Sequence, residues 1–162
     1  MIITKKWLQG QGACLDGIDY FSEGDITDGV EWVKCLIESK RLDWANWLLV
    51  RLMTHEQKVQ YAIYAAEQVI EIYESKYPTD NRPRNAIEAA KQYLVAKDKK
   101  AADAAYVAYA AYVAYAAADA AYAAHVADAA YVAYAAAYAE VMKLKILEYG
   151  LTILDEGAVC HE

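Results

Sequence analysis

Residues 101 to 140 read AADAAYVAYAAYVAYAAADAAYAAHVADAAYVAYAAAYAE, without one leucine, isoleucine, phenylalanine, lysine or arginine. No other stretch constrains the fold as strongly. Alanine has the highest helix propensity and no side-chain entropy to lose, so the segment is expected to be helical whatever it packs on. With its continuation VMKLKILEYGLTILDEG it predicts helix over 101–156, with Gly157 as the C-terminal stop. One straight helix of that length would reach about 80 Å at 1.5 Å per residue, whereas a compact chain of 162 residues has a radius of gyration of about 15 Å. The tract is therefore expected to bend or break. The break is placed near 117–120, with Asp119 or Asp128 capping the second segment.

DAAY begins at Asp103, Asp119 and Asp128, and DAAYVAYAA is repeated at 103 and 128. This is low-complexity repetition, since solenoid units are longer and carry their own turns. Tyr106, Tyr109, Tyr112 and Tyr115 recur every three residues, so each phenol is displaced about 60° from the last. They fan around half the helix and leave the other half alanine. An alanine face lets a second backbone come close, which favours tight packing or a homodimer or higher oligomer.

The chain has fifteen tyrosines but a single phenylalanine, Phe21, so its rings are expected where a hydroxyl finds a partner or water. Two readings stay open. The tyrosines rim an ordinary bundle, or Tyr106, Tyr109, Tyr112, Tyr115, Tyr122, Tyr131 and Tyr134 form a binding surface with Asp103, Asp119, His125 and Asp128 as its polar groups.

The rest of the chain also reads as helix, giving an all-α bundle in a single domain. Residues 1–27 hold four of the seven glycines, with a fifth at Gly29, and are expected to form a loop-rich arm with one helical turn. Within 28–97, VEWVKCLIES predicts a helix from Asp28 to Ser39, with Val30, Trp32, Val33 and Ile37 on its apolar faces. RLDWANWLLVRLM predicts a second, capped by Asp43 and apolar nearly all round. Thr54 and Gln57 make a capping box that opens a third helix, running to Pro78. The fourth opens near Pro83 and buries Ile87, Ala90 and Leu94, with KDKK (97–100) as a solvated link.

A formal charge of −7 disfavours long nucleic acid, whose binding is driven by clustered Lys and Arg, and leaves a basic protein partner open. Cys14, Cys35 and Cys160 share no CxxC spacing, and with only His55, His125 and His161 to assist they make no closed zinc site. Asp119, His125 and Asp128 lie at i, i+6 and i+9, which is not ligand spacing on one helix face. No phosphate-cradling glycine loop and no recognised nucleophile pattern is present, so neither cofactor nor catalysis is expected. The opening residues lack the apolar run of a signal peptide. The longest uncharged stretch of the tract, 104–118, is shorter than the roughly 20 apolar residues of a bilayer span. A cytoplasmic protein without membrane contact is the expectation.

Arg82 and Arg84 flank Pro83 at a helix start, where two guanidiniums and free N–H groups could hold a phosphate or carboxylate. With tyrosines stacking on a base, such a site would sequester a small nucleotide-like signal. Ion pairs with Asp80 or Glu88 are the plainer alternative.

The run YPTDNRPRNAIEAAKQYL (77–94), followed by an alanine-rich tract, resembles an all-helical family of immunity proteins from bacterial toxin and immunity loci, over roughly residues 54 to 140. Upstream, GACLDGIDYF and LDWANWLLVRLM resemble an N-terminal module of bacterial and phage proteins. The resemblance implies a non-catalytic immunity or counter-immunity protein that neutralises a toxin or defence effector by direct binding, and it brings no catalytic residues. The tract departs from the family in being tyrosine-rich, with His125 its single histidine.

Overall fold

A computed structural model describes residues 1–22, 26–96 and 129–159, and side chains at 1–21, 26–96 and 138–156. The protein is all-α. Among the described residues eight helices run in order: α1 (Lys5–Gly10), α2 (Leu15–Ser22), α3 (Gly29–Glu38), α4 (Leu42–Leu52), α5 (His55–Glu67), α6 (Ile70–Lys76), α7 (Arg82–Ala96) and α8 (Ala129–Val159). The chain divides into two compact units, Met1–Thr54 with Leu147–Glu162, and His55–Ile146. Helix α8 contributes to both.

In the first unit, residues 1–3 are extended and pair with 27–29. Ile3 N–H donates to the Thr27 carbonyl and Gly29 N–H to that of Met1, both at 2.8 Å. Strand periodicity sends alternate side chains to opposite sides, so Ile3 is 1% exposed and Ile2 73%. The arm is short, with loops between its helices, but holds more helix than the single turn expected. Thr4 caps α1 by accepting from Trp7 N–H at 3.1 Å. Helix α2 forms despite Gly17 because it buries Ile18 and partly buries Phe21, three residues on.

Helix α3 matches its expected limits. Asp28 accepts from the N–H groups of Val30 and Glu31 at 2.9 and 3.1 Å. At the other end Arg41 N–H reaches the Leu36 carbonyl and Lys40 N–H that of Ile37, the paired bonds of a Schellman stop. That geometry puts Lys40 at φ 57°. The tight turn folds α4 back on α3, and the two form the most extensive helix pair of the unit. Gly29 permits close approach there, since an added Cβ would stand 2.8 Å from Leu52 Cδ2 and 3.3 Å from Ile3 Cγ2.

Asp43 is not the cap of α4. The helix opens one residue before it, with Arg41 at the cap position making no side-chain bond, because the Schellman turn already delivers the chain at that point. Leu42, Ala45, Leu48, Leu49 and Met53 are buried while Trp44, Trp47 and Val50 are half-buried, so the helix borders the core instead of running through it. Leu147, Gly150 and Ile153 of α8 are buried in this unit at three-residue spacing.

The second unit packs α5 against α7 around Val59, Ile63, Ile70, Ile87 and Ala90, with Ala66, Tyr93 and Leu94 partly buried beside them. Helix α5 begins at His55, where the T-x-x-Q pattern puts it. The single helix expected from there to Pro78 is instead broken at Gln68–Val69. Val69 N–H bonds only three residues back, to Ala66, while Gln68 turns its side-chain amide onto the Tyr64 carbonyl at 3.3 Å. Two β-branched residues in succession, Val69 and Ile70, crowd the preceding turn and favour the break there.

Helix α8 runs through Gly157 to Val159, so the expected stop does not operate. A glycine ends a helix by turning left-handed; here it stays helical, and no proline follows. The predicted break at 117–120, the KDKK link, and Asp103, Tyr106, Tyr109, Tyr112, Tyr115, Asp119, Tyr122, His125 and Asp128 lie outside the described residues. For Tyr131 and Tyr134 only the helical backbone of α8 is described.

Candidate functional site

Of the residues singled out from the sequence, Arg82 and Arg84 are fully described, at the first turn of α7. Arg82 grips Asp80 with Nε at 2.9 Å and Nη2 at 2.7 Å, and its backbone N–H donates to the same carboxylate at 3.1 Å. The Tyr73 hydroxyl donates to Asp80 Oδ2 at 2.8 Å. The guanidinium bonds, seconded by Tyr73, hold the Asp80 carboxyl well below the usual carboxylate range, and the bond to Asp80 pushes the Tyr73 phenol up. Arg84 takes Glu74 through Nε and Nη2 at 2.5 and 2.6 Å and lowers the Glu74 carboxyl. The plainer reading therefore describes this turn, with Glu74 in place of Glu88 as the partner of Arg84. An incoming anion would have to displace two bidentate carboxylates.

The site that sequence reasoning missed is a cavity of about 350 Å³ in the first unit. It is built where the arm meets α3 and α4. The loop after α1 supplies Gly12, Ala13 and Cys14, and α2 supplies Gly17, Tyr20 and Phe21. Trp32 and Leu36 come from one face of α3, and Trp44, Trp47 and Leu48, at i, i+3 and i+4, from one face of α4. Ile3 and Leu8 complete the lining, and Asp43 is its one charged member. The inner wall of Ile3, Leu8, Trp32, Leu36 and Leu48 is buried. Tyr20, Phe21, Trp44 and Trp47 are half-buried, and Gly12, Cys14 and Asp43 are exposed, so the cavity opens to solvent on their side.

Its rings are held in place from several directions. Tyr20 meets Trp32 and Trp44 edge-on, with centroids 5.7 and 5.8 Å apart, and Phe21 meets Trp32 at 5.3 Å. The Tyr20 hydroxyl donates to Ser39 Oγ at 3.0 Å, and the Trp32 indole N–H donates to the Ile26 carbonyl. The Arg41 guanidinium lies over both Tyr20 and Trp44, 4.3 and 4.4 Å from their centroids. Arg51 lies over Trp47 at 3.7 Å and donates to the Trp47 carbonyl at 3.0 Å. The half-buried indoles of Trp44 and Trp47 thus each have a cation stacked on one face.

A signal for this site exists in the sequence: three of the four tryptophans fall between 32 and 47. The glycines of 10–17 concealed the other half by reading as loop.

Among the described residues no group of three or more His, Cys, Asp or Glu side chains could hold a metal ion, and no helix is long and apolar enough to cross a membrane. In comparisons with known proteins, no family model, no curated protein and no solved structure matches the chain.

Proposed function

We propose that this protein is a non-catalytic binding protein and that the aromatic cavity of its first unit receives an apolar group. The observation that carries this is the cavity itself. Its volume of about 350 Å³ falls in the range of small-molecule sites, which run to roughly 300–1,000 Å³ and pair an apolar lining with a few polar groups. Rings already locked by neighbours lose little entropy when a ligand arrives, which favours binding. Tryptophan fluorescence provides the test. All four tryptophans lie in this unit, and three line the cavity, so 1-naphthol should quench their emission saturably. Ala13→Trp, which fills the cavity, should abolish saturation in a variant whose far-ultraviolet circular dichroism is unchanged. Saturation that survives Ala13→Trp would contradict the assignment.

A second reading is favoured by the charge of −7 and by the resemblance to immunity proteins. In it the chain neutralises a toxin or defence effector by direct contact in the cytoplasm of a bacterium, with acidic charge steering a basic partner toward it. Association with such a partner should slow steeply as salt is raised, and a salt-independent association rate would count against this role. The nucleotide-sequestering alternative draws no support from Arg82 and Arg84, since both are engaged by carboxylates.

A further inference from the structure

The cavity's charge environment is specific enough to select among ligands. We infer that it takes a small neutral aromatic molecule in preference to a cationic or anionic one of the same shape, an inference that rests on the binding role proposed for the cavity.

An aromatic box with one acidic residue would ordinarily suggest an alkylammonium ligand, because ring faces carry negative charge density and attract cations. Here that attraction is largely satisfied from outside. Arg41 covers Tyr20 and Trp44, and Arg51 covers Trp47. A second cation on the opposite face of any of these rings would compete for the same π-density and be repelled across the ring by the first. An anion fares no better. It would meet the Asp43 carboxylate and the electron-rich ring faces, while neither Arg41 nor Arg51 is among the residues that line the cavity.

Either ion would also lose its water against Leu8, Leu36, Leu48 and Ile3, which offer no polar side-chain atom in return, whereas Asp43, the one group able to attract a cation, is exposed and does not belong to that buried wall. A neutral ring has no such penalty. It can stack, or present its edge, against Trp47, and against Trp44 and Phe21 in the T-shaped and tilted arrangements these two already adopt with Tyr20 and Trp32. The volume, at the low end for ligand sites, suits one fused ring pair.

Indole, tryptamine and indole-3-acetate carry one ring system with charges of zero, plus one and minus one near neutral pH, and calorimetric titration of the whole chain with each, with neutral 3-ethylindole as the control for the side chain's size, isolates the charge effect. Indole should bind more tightly than either ion by about tenfold, the scale of a single cation–π interaction. In Arg41→Met, which removes the exposed cation over Tyr20 and Trp44 and leaves a stem of similar length, tryptamine should gain relative to indole. Tryptamine or indole-3-acetate binding as tightly as indole to the unaltered chain would overturn the charge argument and leave the cavity's binding role standing. Failure of all three to bind would remove the binding role as well.

Discussion

The two units solve the same packing problem with different side chains. The first unit is built from large ones: Trp32, Leu36, Leu48 and Leu49 are all under 9% exposed, and four tryptophans lie within its first 54 residues. The second unit has no tryptophan; its described core is β-branched residues and alanine, at Val59, Ile63, Ile70, Ile87 and Ala90, and its surface is laced by ion pairs. Rigid rings of fixed shape do not close every gap between short helices, whereas small side chains let helices approach closely. The difference teaches what can hold a cavity open: among the described residues it is lined where bulky rings meet glycine and alanine.

The largest effect that should expose this contrast is Trp32→Ala. Deleting a buried ring that also anchors the Ile26 carbonyl should cost about 3–5 kcal/mol. Urea unfolding followed by tryptophan emission, which reports the first unit alone, should show the midpoint fall. Next comes a matched pair of enlargements. Ala90→Leu, in the core between α5 and α7 where Ala90 is 3% exposed, should destabilise by about 1–3 kcal/mol. Ala13→Leu, at the wall of the cavity, should stay within about 0.5 kcal/mol of the parent. Equal costs would erase the distinction between the units.

Lys40→Gly tests a smaller effect. Lys40 holds the left-handed Schellman position at φ 57°, and relief of that strain, less the added freedom of glycine when unfolded, should stabilise the first unit by about 0.5 kcal/mol. The smallest effect concerns pH and the second unit. Asp80 and Glu74 have carboxyls lowered in the folded chain by Arg82 and Arg84. Their contribution is therefore fully present above the ordinary carboxylate range and lost as pH falls below about 4. Asp80→Asn should flatten the acid limb of the stability curve modestly, as expected for exposed pairs.

Much of the fold was legible because the local signals agree. Asp28 before an amphipathic run, Thr54 and Gln57 three residues apart, and Pro78 and Pro83 bracketing a turn each give the chain one consistent instruction, and α3, α5 and α7 begin where these residues put them. Legibility failed where tertiary packing outweighed propensity. Gly17 reads as loop yet sits in α2, because Ile18 is buried there. Gln68 and Val69 carry no proline or glycine yet break a helix, and Gly157 carries the usual stop signal yet does not end one.

The cavity was hidden for a related reason. The stripe of Trp44, Trp47 and Leu48 was visible as one face of a helix, but that this face borders a space depends on Gly12, Ala13, Cys14 and Gly17 lining the same cavity, which no periodicity encodes. The Arg82–Asp80 pair, two residues apart, was readable; Arg84–Glu74 needed the fold of the turn.

The indole N–H resonances of the four tryptophans test the central claim most directly. Trp32, Trp44 and Trp47 line the cavity and Trp7 does not. During titration with naphthalene the three should shift together along one saturating curve while Trp7 stays in place. Four resonances that all move alike, or none that moves, would contradict the assignment of this cavity as the binding site.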